Sequence, residues 1–183
     1  MTAFEALFAF YGLLLGLAIA AVVSGFGEQW RRRHLRPIGW LAPLLGAYVL
    51  LAATRQWQNF YAARDALTMT PATLFTCLAM ALPYTFVAQV MFPAADDAVV
   101  DGDTHYLADR RILLGVLMVP PAVSLAFNLV TNPSFLAKDA VSDILAQPAP
   151  LIILAALIPW RQRAWQIAGL LALIVNRLVV III

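Results

Sequence analysis

The amino-acid sequence predicts an all-α, polytopic transmembrane helical bundle of about six spans, formed by residues 1–183 as a single transmembrane domain. Two observations support this prediction. Hydrophobic residues make up 63% of the chain and charged residues only 12%, and the mean hydropathy is +0.84, which is outside the range of soluble domains. The apolar residues also fall into runs of spanning length, with arginines at their ends.

The predicted spans are bounded by polar or proline-containing segments. They are 4–26, 38–61, 72–92, 112–131, 146–160 and 166–183. A hydrophilic, acidic segment at 93–111 separates the third span from the fourth, and 134–145 has the pattern of a short amphipathic helix in the membrane interface. Pro83 predicts a kink in the third span, and the adjacent Pro120 and Pro121 predict another in the fourth, because proline has no N–H to donate.

Basic residues set the predicted orientation. Eight of the 12 fall on one side of the predicted membrane: Arg31, Arg32, Arg33, Arg36, Arg110, Arg111, Arg161 and Arg163. Short loops rich in arginine remain cytoplasmic, so both termini are expected to be periplasmic and the acidic loop 93–111 cytoplasmic. A net charge of only +2, with the arginines at span ends, argues against nucleic acid as a partner. The lipid bilayer is the expected partner.

The first span carries small residues four apart, at Gly12, Gly16, Ala20 and Ser24. On a helix this spacing makes one face with almost no side chains. Helices in a bilayer associate through close van der Waals contact, which such a face permits. We therefore expect this face, the small-residue face, to pack against another helix of the chain or against a second copy of the protein.

Arg177 is the most informative polar residue, because it is predicted to lie just past the middle of the sixth span. A charge at that depth costs on the order of 2.5–3.5 kcal/mol, so it needs a partner or a wet cavity. Two interpretations stay open, namely an anion- or substrate-coordinating site and a structural or outward-pointing arginine. The candidate neighbours are Asn176, Asn128, Glu5, Asp143 and the C-terminal carboxylate. Arg55 is expected to reach the outer interface with its long side chain.

The sequence contains no recognised catalytic pattern, and we expect neither an enzyme nor a bound cofactor. The G-x-S-x-G, Walker and H-E-x-x-H patterns do not occur. The two histidines, His34 and His105, are both in predicted cytoplasmic loops, so they cannot ligate a haem across the bilayer. The middle of the predicted membrane has no Asp or Glu, which disfavours a proton-coupled carrier.

The acidic loop offers a weak candidate for a divalent-metal site. Asp101, Asp103 and His105 are suitable ligand types, but their spacing is not diagnostic of any metal motif. The favoured alternative is a solvated loop in which Asp103 caps a helix that begins at Thr104. On this interpretation the chain binds no metal.

Several short patterns resemble a family of small bacterial integral membrane proteins with six helices. These patterns are the opening Tyr11-Gly12-Leu13-Leu14-Leu15-Gly16-Leu17, then Phe92-Pro93, Asp103-x-His105-Tyr106 and Arg110-Arg111. That family has no assigned activity, so the resemblance implies a location in the bacterial inner membrane and nothing catalytic.

Two functional classes follow. The favoured class is a non-catalytic subunit that associates with itself, as a homo-oligomer, or with a larger membrane complex, because it has a small-residue face, short loops and no intramembrane acids. The alternative is a passive channel or a small-solute or anion transporter, which the proline kinks and Arg177 indicate.

Overall fold

The computed structural model describes residues 3–35, 37–64, 67–93, 101–131 and 148–182. In these residues the structure is helical, with no strands, which confirms the all-α prediction. The helices are α1 (Ala3–Arg31), α2 (Leu41–Ala62), α3 (Pro71–Val90), α4 (Gly102–Leu117), α5 (Val119–Thr131), α6 (Pro148–Leu157) and α7 (Arg163–Ile182). The interfacial helix expected at 134–145 lies outside the described residues.

Within the described ranges, four helical stretches are long and apolar enough to cross a membrane. They are Phe4–Arg31, Pro71–Val90, Gly102–Val130 and Arg163–Ile182. Two of the six expected spans differ from these. The 22-residue α2 is long enough, but its C-terminal third is polar. The 10-residue α6 rises about 15 Å, only half the thickness of a bilayer core, so the span expected at 146–160 is shorter in the structure.

The first helix packs through its large side chains. A stripe spaced three or four residues apart is buried: Leu7, Tyr11, Leu15, Ala18 and Val22. This stripe faces α3 and α2, with which α1 makes its main contacts. The spacing follows the 3.6-residue period of a helix, so these side chains lie on one side of α1 and the small-residue face points away from the bundle.

In the described part of the chain, most of the small-residue face is exposed, which corrects the expectation that it packs within the chain. Gly16, Ala20 and Ser24 are exposed, and a Cβ on Gly16 would meet no atom within 4 Å. Gly12 is half-buried, and a Cβ there would lie 3.7 Å from Trp57 Nε1. Packing against a second copy stays a prediction.

Close approach to α1 occurs instead at Gly25. A Cβ there would overlap the ring of Phe92, which follows the end of α3. The next close contact is at Gly46 of α2, where a Cβ would lie 3.2 Å from Val22 and 3.3 Å from Met91. These two glycines allow α1, α2 and the end of α3 to meet tightly near one end of the bundle.

The proline positions have different outcomes. Met118 forms a turn between α4 and α5, just before the Pro120-Pro121 pair, so the expected break in this long helix is present. The amide of Met118 is shared between the carbonyls of Leu114 and Gly115, both at 3.2 Å. Pro83, in contrast, lies inside α3 without interrupting it.

Candidate functional site

Two clusters of polar side chains lie at opposite ends of the bundle. We call the end where α1 begins, α2 ends and α3 begins the cavity end; Phe4 of α1 and Phe60 of α2 stack there with ring centroids 6.1 Å apart. The opposite end, where α1 ends and α2, α4 and α7 begin, carries Arg31–Arg33, Arg161 and Arg163. We call it the basic end.

A cavity of about 510 Å³ opens at the cavity end between α2, α3, α5 and α7. Its wall combines polar and apolar side chains: Arg55, Gln56, Asn59, Phe60, Ala62, Ala63, Leu67, Ala72, Thr73, Thr76, Cys77, Met80, Ser124, Phe127, Asn128 and Arg177. Among the described residues, this wall includes two cations and no carboxylate. The described wall therefore places two guanidinium groups among neutral polar and apolar side chains.

Arg177 reaches this cavity from α7. Its side chain is only 7% exposed, and it lies beside the Tyr48 hydroxyl of α2. This position follows from the extensive packing of α7 on α2, which places the buried face of α7 against Tyr48. Tyr84 of α3 is also within electrostatic reach of the guanidinium. Tyrosines of the bundle core are thus among the groups that surround Arg177.

Arg55 lines the same cavity, and its expected reach to the outer interface stays a prediction. It lies on α2, and its side chain is half-buried. The two guanidinium groups are close enough for Arg177 to repel the charge on Arg55. Two like charges near each other in a poorly solvated region raise each other's energy, and a bound anion would relieve that repulsion.

Several neutral polar side chains of the wall donate hydrogen bonds to other atoms of the protein. The Thr76 hydroxyl donates to the carbonyl of Ala72 at 2.9 Å, and Asn128 Nδ2 donates to the carbonyl of Ser124 at 2.9 Å. Gln56 Nε2 donates to Met80 Sδ at 3.0 Å. A guanidinium has five N–H donors, so each arginine can bind a ligand while keeping protein partners. Recognition of charge in this cavity therefore depends mainly on the arginines.

The structure brings together some of the residues expected near Arg177. Asn128 lines the cavity with it, whereas Asn176 and Glu5 are not among the residues of the cavity wall. Glu5 is exposed on the first turn of α1, and Asn176 is half-buried on α7. Asp143 lies outside the described residues.

Sequence reasoning did not assign Gln56, Asn59, Thr73, Thr76 and Ser124 to the site. A signal for them was present, because polar residues recur at helical spacing in each wall helix, as at Gln56 and Asn59. Deciding which face of each helix borders the cavity required the tertiary structure.

The basic end is organised by Asp103, which is 3% exposed. Its Oδ1 accepts hydrogen bonds from the backbone amides of Trp40 at 2.8 Å and Leu41 at 2.9 Å. Its Oδ2 lies 2.6 Å from Nη2 of Arg163. Asp103 thus caps the N-terminus of α2 from a distant part of the chain, where its negative charge also suits the helix dipole.

This role corrects the expectation that Asp103 caps its own helix. The helix α4 begins at Gly102, so Asp103 lies within its first turn and its side chain points away from α4. Gly39 makes room for the carboxylate, because its φ of +70° suits glycine and a Cβ there would overlap Asp103.

A second buried network closes the basic end. Gln166 of α7 is fully buried, and its Nε2 donates to the carbonyls of Leu157 at 2.7 Å and Trp160 at 2.6 Å. Its Oε1 accepts a 2.9 Å hydrogen bond from the Tyr106 hydroxyl of α4. One amide side chain therefore ties the turn between α6 and α7 to α4.

The weak metal candidates do not form a site in the described part of the chain. Asp103 is engaged as described, and His105 Nε2 lies 3.1 Å from the carbonyl of Val90 and 3.8 Å from Asp109 Oδ2. In the described ranges there is no group of three His, Cys, Asp or Glu side chains arranged to hold a metal.

Comparison of the chain with family models, with curated proteins and with solved structures gives no match.

Proposed function

We propose that this protein is a six-span bacterial inner-membrane protein with both termini on the periplasmic side, and that it binds an anion in the cavity, as a passive channel or small transporter does. The single observation that carries the functional part is that Arg55 and the buried Arg177 line one cavity. No catalytic residue is part of this proposal.

Support for the membrane location comes from the outside of the bundle. Large apolar side chains are exposed on several helices, including Leu13, Phe75, Val130, Ile152 and Ile182. Soluble monomers rarely expose continuous apolar surface of this kind. Tryptophans also mark both ends, with Trp57 at the cavity end and Trp160 in tilted ring contact with Trp165 at the basic end, as in membrane-interface belts.

Support for an anion comes from electrostatics. Each arginine is removed from bulk water to some degree, and Arg177 repels Arg55. An anion between them would gain charge-assisted hydrogen bonds with both guanidinium groups and would cancel their repulsion. A cation or neutral solute would gain neither. The cavity opens at the predicted periplasmic side, so the ligand would enter from there.

Flux through proteoliposomes tests this function. The purified full-length protein should release trapped chloride, phosphate or carboxylates faster than protein-free liposomes, and Arg177→Gln or Arg55→Gln should reduce that rate at least tenfold. Arg64→Gln is the matched control, because Arg64 lies at the same end of the bundle but outside the cavity wall. Wild-type protein that is folded and moves no anion would contradict the proposal.

The alternative function, a self-associating or accessory subunit of a membrane assembly, is favoured by a different observation. The small-residue face of α1 is exposed along Gly16, Ala20 and Ser24, where another helix could approach closely. Mass measurement in a gentle detergent tests it. Two or more copies, or a fixed partner, should be found for the wild type and lost in Gly16→Ile, whereas a monomer in both cases would exclude this function.

A further inference from the structure

The size of the cavity restricts what can fill it. Its volume is about 510 Å³. One water occupies about 30 Å³ in the liquid, and binding sites for drug-sized organic ligands measure about 300–1,000 Å³. A chloride or phosphate ion bound to the arginines would leave most of this space unfilled by the ligand. The volume therefore indicates an organic ligand.

The wall is divided along its depth. Arg55 precedes the end of α2 at Ala62 by seven residues, which is about 10 Å along the helix axis. Nearer the helix ends, the wall has five apolar residues, Phe60, Ala62, Ala63, Leu67 and Ala72, beside the polar Asn59 and Thr73. A ligand entering from the cavity end thus meets this mixed surface, with Phe60 and Leu67 as its largest apolar groups, before it meets the charge of Arg55.

We infer that the cavity binds an amphipathic organic anion, with its carboxylate or phosphate head between Arg55 and Arg177 and its alkyl chain along Phe60 and Leu67. This inference rests on the anion site of the proposed function and specifies its ligand class. A free fatty acid and a membrane phospholipid share this chemistry.

A series of carboxylates from butyrate to decanoate tests the inference. The full-length protein is placed in nanodiscs of zwitterionic lipid, and binding is followed by the thermal midpoint in circular dichroism. Affinity should rise about three- to fourfold for each added methylene that is buried.

Two matched ligands and three variants separate the contributions of charge and chain. Decanol has the chain without the charge, and inorganic phosphate has the charge without the chain; both should bind at least tenfold more weakly than decanoate. Arg55→Gln should lose the preference for decanoate over decanol, Arg55→Lys should keep part of it, and Arg64→Gln should behave as the wild type. Because Arg55 is half-buried, its variants should retain the fold.

Other outcomes would overturn the inference in distinguishable ways. If phosphate binds as tightly as decanoate, with no dependence on chain length, the ligand is a small anion and the proposed function survives alone. If decanol binds the wild type as tightly as decanoate, the arginines do not recognise the negative charge, and both proposals are wrong. If no compound binds, the ligand class is wrong, and the flux assay decides the function.

Lipid composition identifies the source of the ligand. If a phospholipid supplies the head, nanodiscs containing phosphatidylglycerol should raise the midpoint and weaken decanoate binding, and Arg55→Gln should remove both effects. If a free solute supplies it, decanoate should bind equally in both kinds of nanodisc. Either result supports the inferred ligand class.

Discussion

At the basic end the buried carboxylate of Asp103 is surrounded by donors, whereas at the cavity end two guanidinium groups face one open volume. The carboxylate accepts hydrogen bonds from two backbone amides and forms an ion pair with Arg163. It lies so close to Gly39 that a Cβ there would overlap it. Arg55 and Arg177 instead repel each other beside a cavity of about 510 Å³. Buried polar groups that satisfy each other stabilise a fold, and like charges that share a cavity are suited to a ligand.

The largest expected effect of a substitution is at Asp103. Asp103→Ala leaves the amides of Trp40 and Leu41 without their acceptor and should cost about 3 kcal/mol. For a protein of this size, that lowers the thermal midpoint in circular dichroism by about 6–12 °C. Anion binding by the remaining folded protein should not change.

Asp103→Asn separates the cap from the ion pair. The asparagine oxygen can still accept from both amides, and the lost partner Arg163 is 53% exposed, where ion pairs contribute at most about 1 kcal/mol. A loss as large as that of Asp103→Ala would show that charge, rather than capping, holds this end together. Asp101→Ala is a neighbouring control, since the Asp101 side chain makes no cap hydrogen bond.

The next largest effect is expected at Gly25. Gly25→Ala places a methyl group in the ring of Phe92, and relieving that overlap should cost about 2 kcal/mol. Gly16→Ala is the matched control on the opposite side of α1, where a Cβ meets no atom within 4 Å. It should leave the midpoint unchanged or raise it slightly, through better helix propensity. Equal losses would mean that the small-residue face packs within the chain.

A smaller effect is expected at Tyr106. Tyr106→Phe removes the hydroxyl that donates to Gln166 Oε1, which should cost about 1–1.5 kcal/mol of unfolding free energy. Tyr61→Phe, at an exposed tyrosine, should change the midpoint by less than about 2 °C. An unchanged midpoint in Tyr106→Phe would remove the Gln166 network from the account of the basic end.

The smallest effect on the thermal midpoint is expected for Arg55→Gln, although this substitution is expected to weaken anion binding strongly. Arg55→Gln removes the repulsion from Arg177, so the ligand-free midpoint should stay constant or rise by about 1–2 °C. Circular dichroism without ligand measures this. A fall of several degrees would show that Arg55 belongs to a structural pair, and the contrast between the two ends would disappear.

Composition and periodicity alone determined the helical class and several of the positions where helices end or break. Runs of apolar residues predict helices, because a chain this hydrophobic must satisfy its backbone internally, and the Pro120-Pro121 pair predicts the break seen at Met118. The predictable part of the site was Arg177, since a charge within an apolar run stands out in any sequence.

Only the tertiary structure decided which helix faces meet. The periodicity of α1 is compatible with packing through either its small or its large side chains, and the choice depends on the surfaces of α2 and α3. Arg55 of α2 and Arg177 of α7 come together in one cavity wall. The capping of α2 brings Asp103 to Leu41, which lies 62 positions earlier in the chain. Such pairings depend on how the helices pack in three dimensions, which no local sequence pattern encodes.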